Sequence, residues 1–100
     1  MATAKPQFEL GAISAFCRKH GIRRLALFGS ILRDDFRADS DVDVLVEFEP
    51  GATPGLAFFN MQDELTELIR WNVELHTAGF LGRHFRDQVV QEARDLYVAA

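Results

Sequence analysis

The sequence predicts an α/β (α+β) domain: one small mixed β-sheet with helices packed on one face. Three observations carry this. Apolar strand-like runs alternate with stretches of helical spacing, in the order helix, strand, short helix, strand, helix, strand, helix. At 100 residues and 48% apolar composition the chain fits one domain with a core adequate for folding alone. A Gly-Ser pair closes the first strand and an Asp-x-Asp pair opens the second, so the polar chemistry gathers at strand ends.

The first helix is expected over residues 6–20. Leu10, Ile13, Phe16 and Cys17 recur at helical spacing, Lys19 and His20 fill its last turn, and Gly21 supplies a left-handed stop. The first strand covers residues 25–28. Gly29 then lets the backbone turn sharply and approach a ligand closely, and residues 30–33 open a short helix with Ser30 at or near its N-cap. A helix start of this kind is an anion site suited to a nucleotide triphosphate. The second strand covers residues 43–49. Two prolines and two glycines in residues 49–55 make a loop, and Thr53 and Pro54 start a helix over residues 55–70. Its buried stripe is Phe58, Met61, Leu65, Leu68 and Ile69. Residues 71–76 form the third strand. After Thr77 a last helix runs from residue 80 to about 98, with Leu81, Phe85, Val89, Ala93 and Leu96 on its apolar face.

Composition narrows the function. The net charge of −4 argues against direct nucleic-acid binding, which needs a basic stripe. Arg18, Lys19, Arg23 and Arg24 cluster in sequence but read as a solvated helix end. No apolar run approaches the ~20 residues of a membrane span, and residues 1–7 lack the apolar core of a secretory signal. Cys17 is the single cysteine, so no internal disulfide forms and a cytoplasmic setting fits. No Cys-His set suggests zinc. His76 shares the Glu74 face of the third strand and could border the site, though a lone histidine is more often structural, while His20 ends a helix and His84 lies on the last one.

The informative stretch is Ser40-Asp41-Val42-Asp43. Strand residues two apart share a face, so Asp41 and Asp43 lie side by side while Val42, Val44, Val46 and Phe48 point the other way. Solvated turn acids would also fit Asp39, Asp41 and Asp43. A calcium loop does not, because its sixth and twelfth positions require Gly and Glu and here are Val44 and Pro50. Glu74 alternates with Val73 and Leu75, so it points to the face of the aspartates if the strands pair. Three converging carboxylates repel one another, and a divalent cation relieves them.

Gly29-Ser30, Arg33 and Ser40-Asp41-Val42-Asp43 together resemble the signature of the DNA polymerase β-like nucleotidyltransferases. The short spacing resembles the minimal nucleotidyltransferases, antitoxin halves of pairs whose partner is a helical HEPN ribonuclease. The resemblance spans residues 22–97 and implies a polymerase β-like core. It also implies roles. Asp41 and Asp43 hold the nucleotide-bound Mg²⁺, and Asp41, Asp43 and Glu74 hold a second ion, with Mn²⁺ an alternative. Gly29 and Ser30 bind the β and γ phosphates of ATP, Arg33 contacts phosphate, and Ser40 orders the turn before Asp41. One departure stands out: the family has Asp in a Val-Asp-Leu strand where this chain has Val73-Glu74-Leu75.

A chain of 100 residues leaves no room for a domain that grips the acceptor. The acceptor is therefore expected on, or held by, another protein. The resemblance implies transfer of AMP to a tyrosine of a HEPN-type toxin. A non-catalytic antitoxin that neutralises by binding, and a nucleotide-sensing module, stay open beside it. Phe36, Phe59, Trp71 and Phe80 have no certain place in the core and are candidate interface aromatics.

Overall fold

The computed structural model describes residues 6–52, 54–77 and 83–100. The order is α1 (Leu10–His20), β1 (Ile22–Phe28), a 3-10 turn (Gly29–Leu32), β2 (Val42–Phe48), α2 (Ala57–Ile69), β3 (Val73–Thr77), α3 (Arg83–Glu92) and β4 (Arg94–Val98). The strands form one sheet in the order β3-β2-β1-β4, with β1 antiparallel to both β2 and β4, and β2 parallel to β3.

Helix α1 starts later than its periodicity suggests. Glu9 caps it, its carboxylate accepting from the amides of Gly11 and Ala12 at 3.1 and 2.7 Å. Gln7 instead lies outside the helix, its amide donating to the Ile69 carbonyl at 2.8 Å. Leu10 is therefore mostly exposed, while Ile13, Phe16 and Cys17 are buried. Gly21 ends the helix in the left-handed region, as expected, at φ 66°. Burial pushes the Cys17 thiol up to about 12, which makes it an inert core group.

One face of the sheet carries the main core. Leu25, Leu27, Val42, Val44, Val46, Val73 and Leu75 pack there against Ile13, Phe16 and Cys17 of α1 and Met61, Leu65 and Ile69 of α2. Truncating a residue as buried as Leu65 to alanine costs about 2–5 kcal/mol. Val89 of α3 packs on the opposite face with Ala26, Phe28 and Leu45.

The end of the chain departs from expectation. The helix expected to run to residue 98 stops at Glu92, and residues 94–98 form β4 beside β1. Val89, Ala93 and Leu96 keep a helical spacing, but cross-strand pairing overrides it. Arg24 donates to Asp95 at 2.6 Å and to Glu47 at 3.1 Å, tying β4, β1 and β2 together. Burial disfavours the Arg24 charge, but the Asp95 and Glu47 carboxylates outweigh it and hold the guanidinium above its ordinary value. Leu96 is an extra residue in β4 between the pairs Leu25–Tyr97 and Ala26–Asp95, a β-bulge.

Two local expectations change as well. Ser30 is the second residue of the 3-10 turn, Phe28 precedes that turn, and no side chain caps it. Thr53, Phe80 and Leu81 lie outside the described residues, as do the side chains of His84 and Phe85. Arg23 and Lys19 bond Glu47 and Glu64 at 3.1 Å each, so the basic cluster is matched by acids.

Candidate active site

Strand β1 delivers the chain to Gly29 beside the second strand, because Phe28 is paired with Asp43. Gly29 sits at φ 79°, and a Cβ there would lie 2.6 Å from Asp43 Oδ2. Any larger residue would be strained and would displace the carboxylate. The Gly-Ser turn and Asp43 are therefore neighbours, although fourteen positions separate Gly29 from Asp43.

Strand β3 brings the next groups. Its parallel register sets Glu74 against Asp43 and His76 against Leu45. Alternation puts Glu74 and His76 on one face. Asp43, Glu74 and His76 each offer a ligand atom, and the three atoms lie within 4.8 Å of one another. His76 Nε2 lies 3.3 Å from Asp43 Oδ1, and the Phe28 ring stands near-perpendicular to the imidazole at 5.1 Å. Asp43 and His76 are half-buried and Glu74 is exposed.

Helix α2 fixes β3 from its outer edge. Gln62 Oε1 accepts from the Leu75 amide at 3.0 Å, and Thr66 Oγ1 accepts from the Val73 amide at 3.1 Å. These contacts satisfy donors that an edge strand would otherwise leave bare.

Asp41 lies one residue before β2 and is exposed. Its Oδ1 accepts from Asn72 Nδ2 at 2.8 Å, and it is not one of the three grouped residues. Ser40 is engaged within the preceding loop, where its Oγ accepts from the Arg37 amide at 3.0 Å. Asp34, Asp35 and Asp39 are exposed loop acids.

An open cavity of about 360 Å³ adjoins the turn, lined by Gly29, Leu32, Arg33, Glu92 and Arg94. Arg33 reaches it from the 3-10 turn, and Arg94 from β4. Reading residues 80–98 as one helix hid Arg94 and Glu92 from the sequence-based site. The signal that could have found β4 is Leu96-Tyr97-Val98, a run rich in strand-favouring residues.

The donor set suits a divalent cation. Carboxylates take Mg²⁺ and Mn²⁺, and imidazole takes first-row transition ions. Among the described residues, Asp43, Glu74 and His76 form a group that could hold one.

A mixed sheet that sets carboxylates from two adjacent strands beside a glycine turn and a cavity lined by Arg33, Arg94 and Glu92 is the arrangement of a nucleotidyltransferase-type domain. The chain belongs to the nucleotidyltransferase domain family, whose model matches residues 11–97. It is 38% identical over 75 residues to the protein adenylyltransferase MntA of Thermococcus cleftensis, covering 74% of each chain. Among solved structures it resembles a toxin–antitoxin bound to AMP-PNP, with a TM-score of 0.72 and 19% identity over 91% of this chain and 74% of that one. It also resembles an MNT antitoxin in complex with a tri-AMPylated HEPN toxin of Shewanella oneidensis. There the TM-score is 0.59 and the identity 20%, over 90% of this chain and 70% of that one. The two likenesses to toxin–antitoxin structures establish the shared fold.

Proposed function

We propose that this protein is a metal-dependent adenylyltransferase that moves AMP from ATP to a tyrosine hydroxyl of a HEPN-type toxin and so acts as its antitoxin in the cytoplasm. The observation that carries the reading is the grouping of Asp43, Glu74 and His76 beside the Gly29 turn. A relative named for protein adenylylation and a solved HEPN–MNT complex with an AMPylated toxin support the acceptor class.

Each part of the chain has a task in this reading. The amides of Gly29 and Ser30 bind the β and γ phosphates, and Arg33 and Arg94 balance their charge from the adjoining cavity. Asp41, Asp43 and Glu74 would hold the divalent ions that the reaction uses. When bound, Mg²⁺ or Mn²⁺ neutralises phosphate charge and makes the acceptor hydroxyl easier to deprotonate. The acceptor oxygen forms a bond to the α-phosphorus, the bond to the β-phosphate oxygen breaks, pyrophosphate leaves, and the hydroxyl proton passes to solvent. Positioning of the acceptor falls to the partner protein. At the start of α2, Leu56 at its N-cap and Phe59 in its first turn are 86% and 65% exposed, an apolar pair suited to a helical partner.

A binding-only antitoxin is the second reading. The Asp41–Asn72 hydrogen bond favours it, since it engages a carboxylate that catalysis needs. Co-expression with a HEPN-type toxin and intact-mass spectrometry separates the two. A gain of AMP on the toxin, lost with Asp43→Ala, supports transfer. Complex formation and neutralisation without a mass gain support binding alone. Failure to form a complex removes both.

A further inference from the structure

We infer that the His76 imidazole is a metal ligand, and that with Asp43 and Glu74 it forms a cation site preferring Mn²⁺, Co²⁺ or Zn²⁺ over Mg²⁺. The inference rests on the metal-dependent reading above and deepens it by naming the ligand that sets metal choice.

The backbone places His76 there. Glu74 and His76 share a face of β3, and the parallel register seats them against Asp43 and Leu45. Leu45 is fully buried on that face, in a cluster with Phe28, Ala26 and Val89. His76 thus stands where the apolar cluster meets the carboxylates, with the Phe28 ring 5.1 Å away. Its Nε2 faces Asp43 Oδ1 at 3.3 Å.

That spacing suits a shared ion. Donors bonded to one cation at about 2.0–2.2 Å stand ~3.0 Å apart at adjacent octahedral corners and ~3.4 Å apart at tetrahedral ones, from the bond lengths alone. The observed 3.3 Å lies within this range. Glu74 supplies a third donor within 4.8 Å of the other two. A nitrogen donor matters because Mg²⁺ takes oxygen ligands and sheds water reluctantly, whereas imidazole suits the later first-row ions. The competing role for His76 is to orient Asp43 by hydrogen bonding, without touching the ion.

The test uses the full chain without nucleotide. In ¹⁵N-labelled wild type titrated with ZnCl₂, the His76 Nε2 resonance should move at stoichiometric metal while the His20 ring stays unmoved. By calorimetry, His76→Gln should weaken Mn²⁺ binding by about tenfold or more, ~1.4 kcal/mol, and change Mg²⁺ binding by no more than about twofold. His76 is half-exposed, so the variant should fold; if it does not, the ring-nitrogen titration decides alone. A Nε2 resonance that stays fixed while Asp43→Asn abolishes Zn²⁺ binding overturns the inference and leaves the metal-dependent reading standing. Equal weakening of Mn²⁺ and Mg²⁺ by His76→Gln likewise overturns it in favour of the orienting role. If Asp43→Asn binds all these ions as tightly as wild type, the metal-dependent reading falls and takes the inference with it.

Discussion

The Trp71 indole donates its N–H to the Ser40 carbonyl at 2.7 Å, fastening the loop before β2 to the turn before β3. The Phe36 ring packs on the same indole at 5.7 Å. Two of the four candidate interface aromatics therefore serve to hold the site loop. Trp71→Phe should keep most of the packing and lose the hydrogen bond, for a cost of about 0.5–1.5 kcal/mol. Urea denaturation measures that cost. The thermal shift produced by ATP with Mn²⁺ should shrink in the same variant, because Asp41 follows Ser40 directly. An unchanged shift would separate the loop from the site.

Gly29→Ala tests how closely the turn approaches Asp43. The added Cβ meets Asp43 Oδ2 at 2.6 Å and forces a side-chain-bearing residue to φ 79°. The left-handed conformation alone costs about 1–2 kcal/mol. The variant should melt lower and lose its response to ATP with Mn²⁺. A variant that melts like wild type and still responds would show that the turn has room to spare.

Glu74 stands where the resemblance to nucleotidyltransferases implies an aspartate, and it offers a carboxylate oxygen within 4.8 Å of the ligand atoms of Asp43 and His76. Glu74→Gln should abolish AMP transfer and leave most nucleotide binding to the rest of the site. Glu74→Asp should keep or improve transfer. Wild-type transfer by Glu74→Gln would reduce Glu74 to a surface acid.

Glu64 gives the fold a pH signature away from the site. Burial raises its carboxyl, but the His20 and Lys19 contacts at 3.0 and 3.1 Å outweigh that and hold it below its ordinary 4.5. A carboxyl lowered on folding contributes stability above its unfolded value, and the contribution is lost as pH falls through the folded value. Glu64→Gln should therefore melt lower than wild type near neutral pH, with the gap closing below about pH 4.5. Melting curves across that range check it, and a gap that persists in acid would assign the stabilisation to packing.

Phe59 is 65% exposed on α2, so it contributes little to the core. Phe59→Ser should leave the melting temperature near wild type and weaken the complex with a HEPN-type toxin roughly tenfold or more, since buried aromatic anchors carry much of an interface's energy. Titration calorimetry of the purified partners measures it. Undiminished affinity would place the interface elsewhere.

Short-range patterns made much of this protein legible. The stop at Gly21, the buried stripe of Met61, Leu65 and Ile69, and the turn at Gly29 follow from residues within a few positions of one another, as do the alternating faces of β2 and β3. Backbone period and glycine's conformational freedom act at that range. The convergence of Glu74 on Asp43 needed only one further step, that their strands pair. Tertiary structure decided the rest. It converted residues 94–98 from the continuation of a helix into β4, because pairing with β1 and the Arg24–Asp95 contact outweigh a helical spacing that runs on through Leu96. The same long-range pairing brought Arg94 to the cavity, seated His76 beside Asp43, and bonded Asp41 to Asn72. Each of these is set by the register between segments about thirty or more positions apart, which no local period encodes.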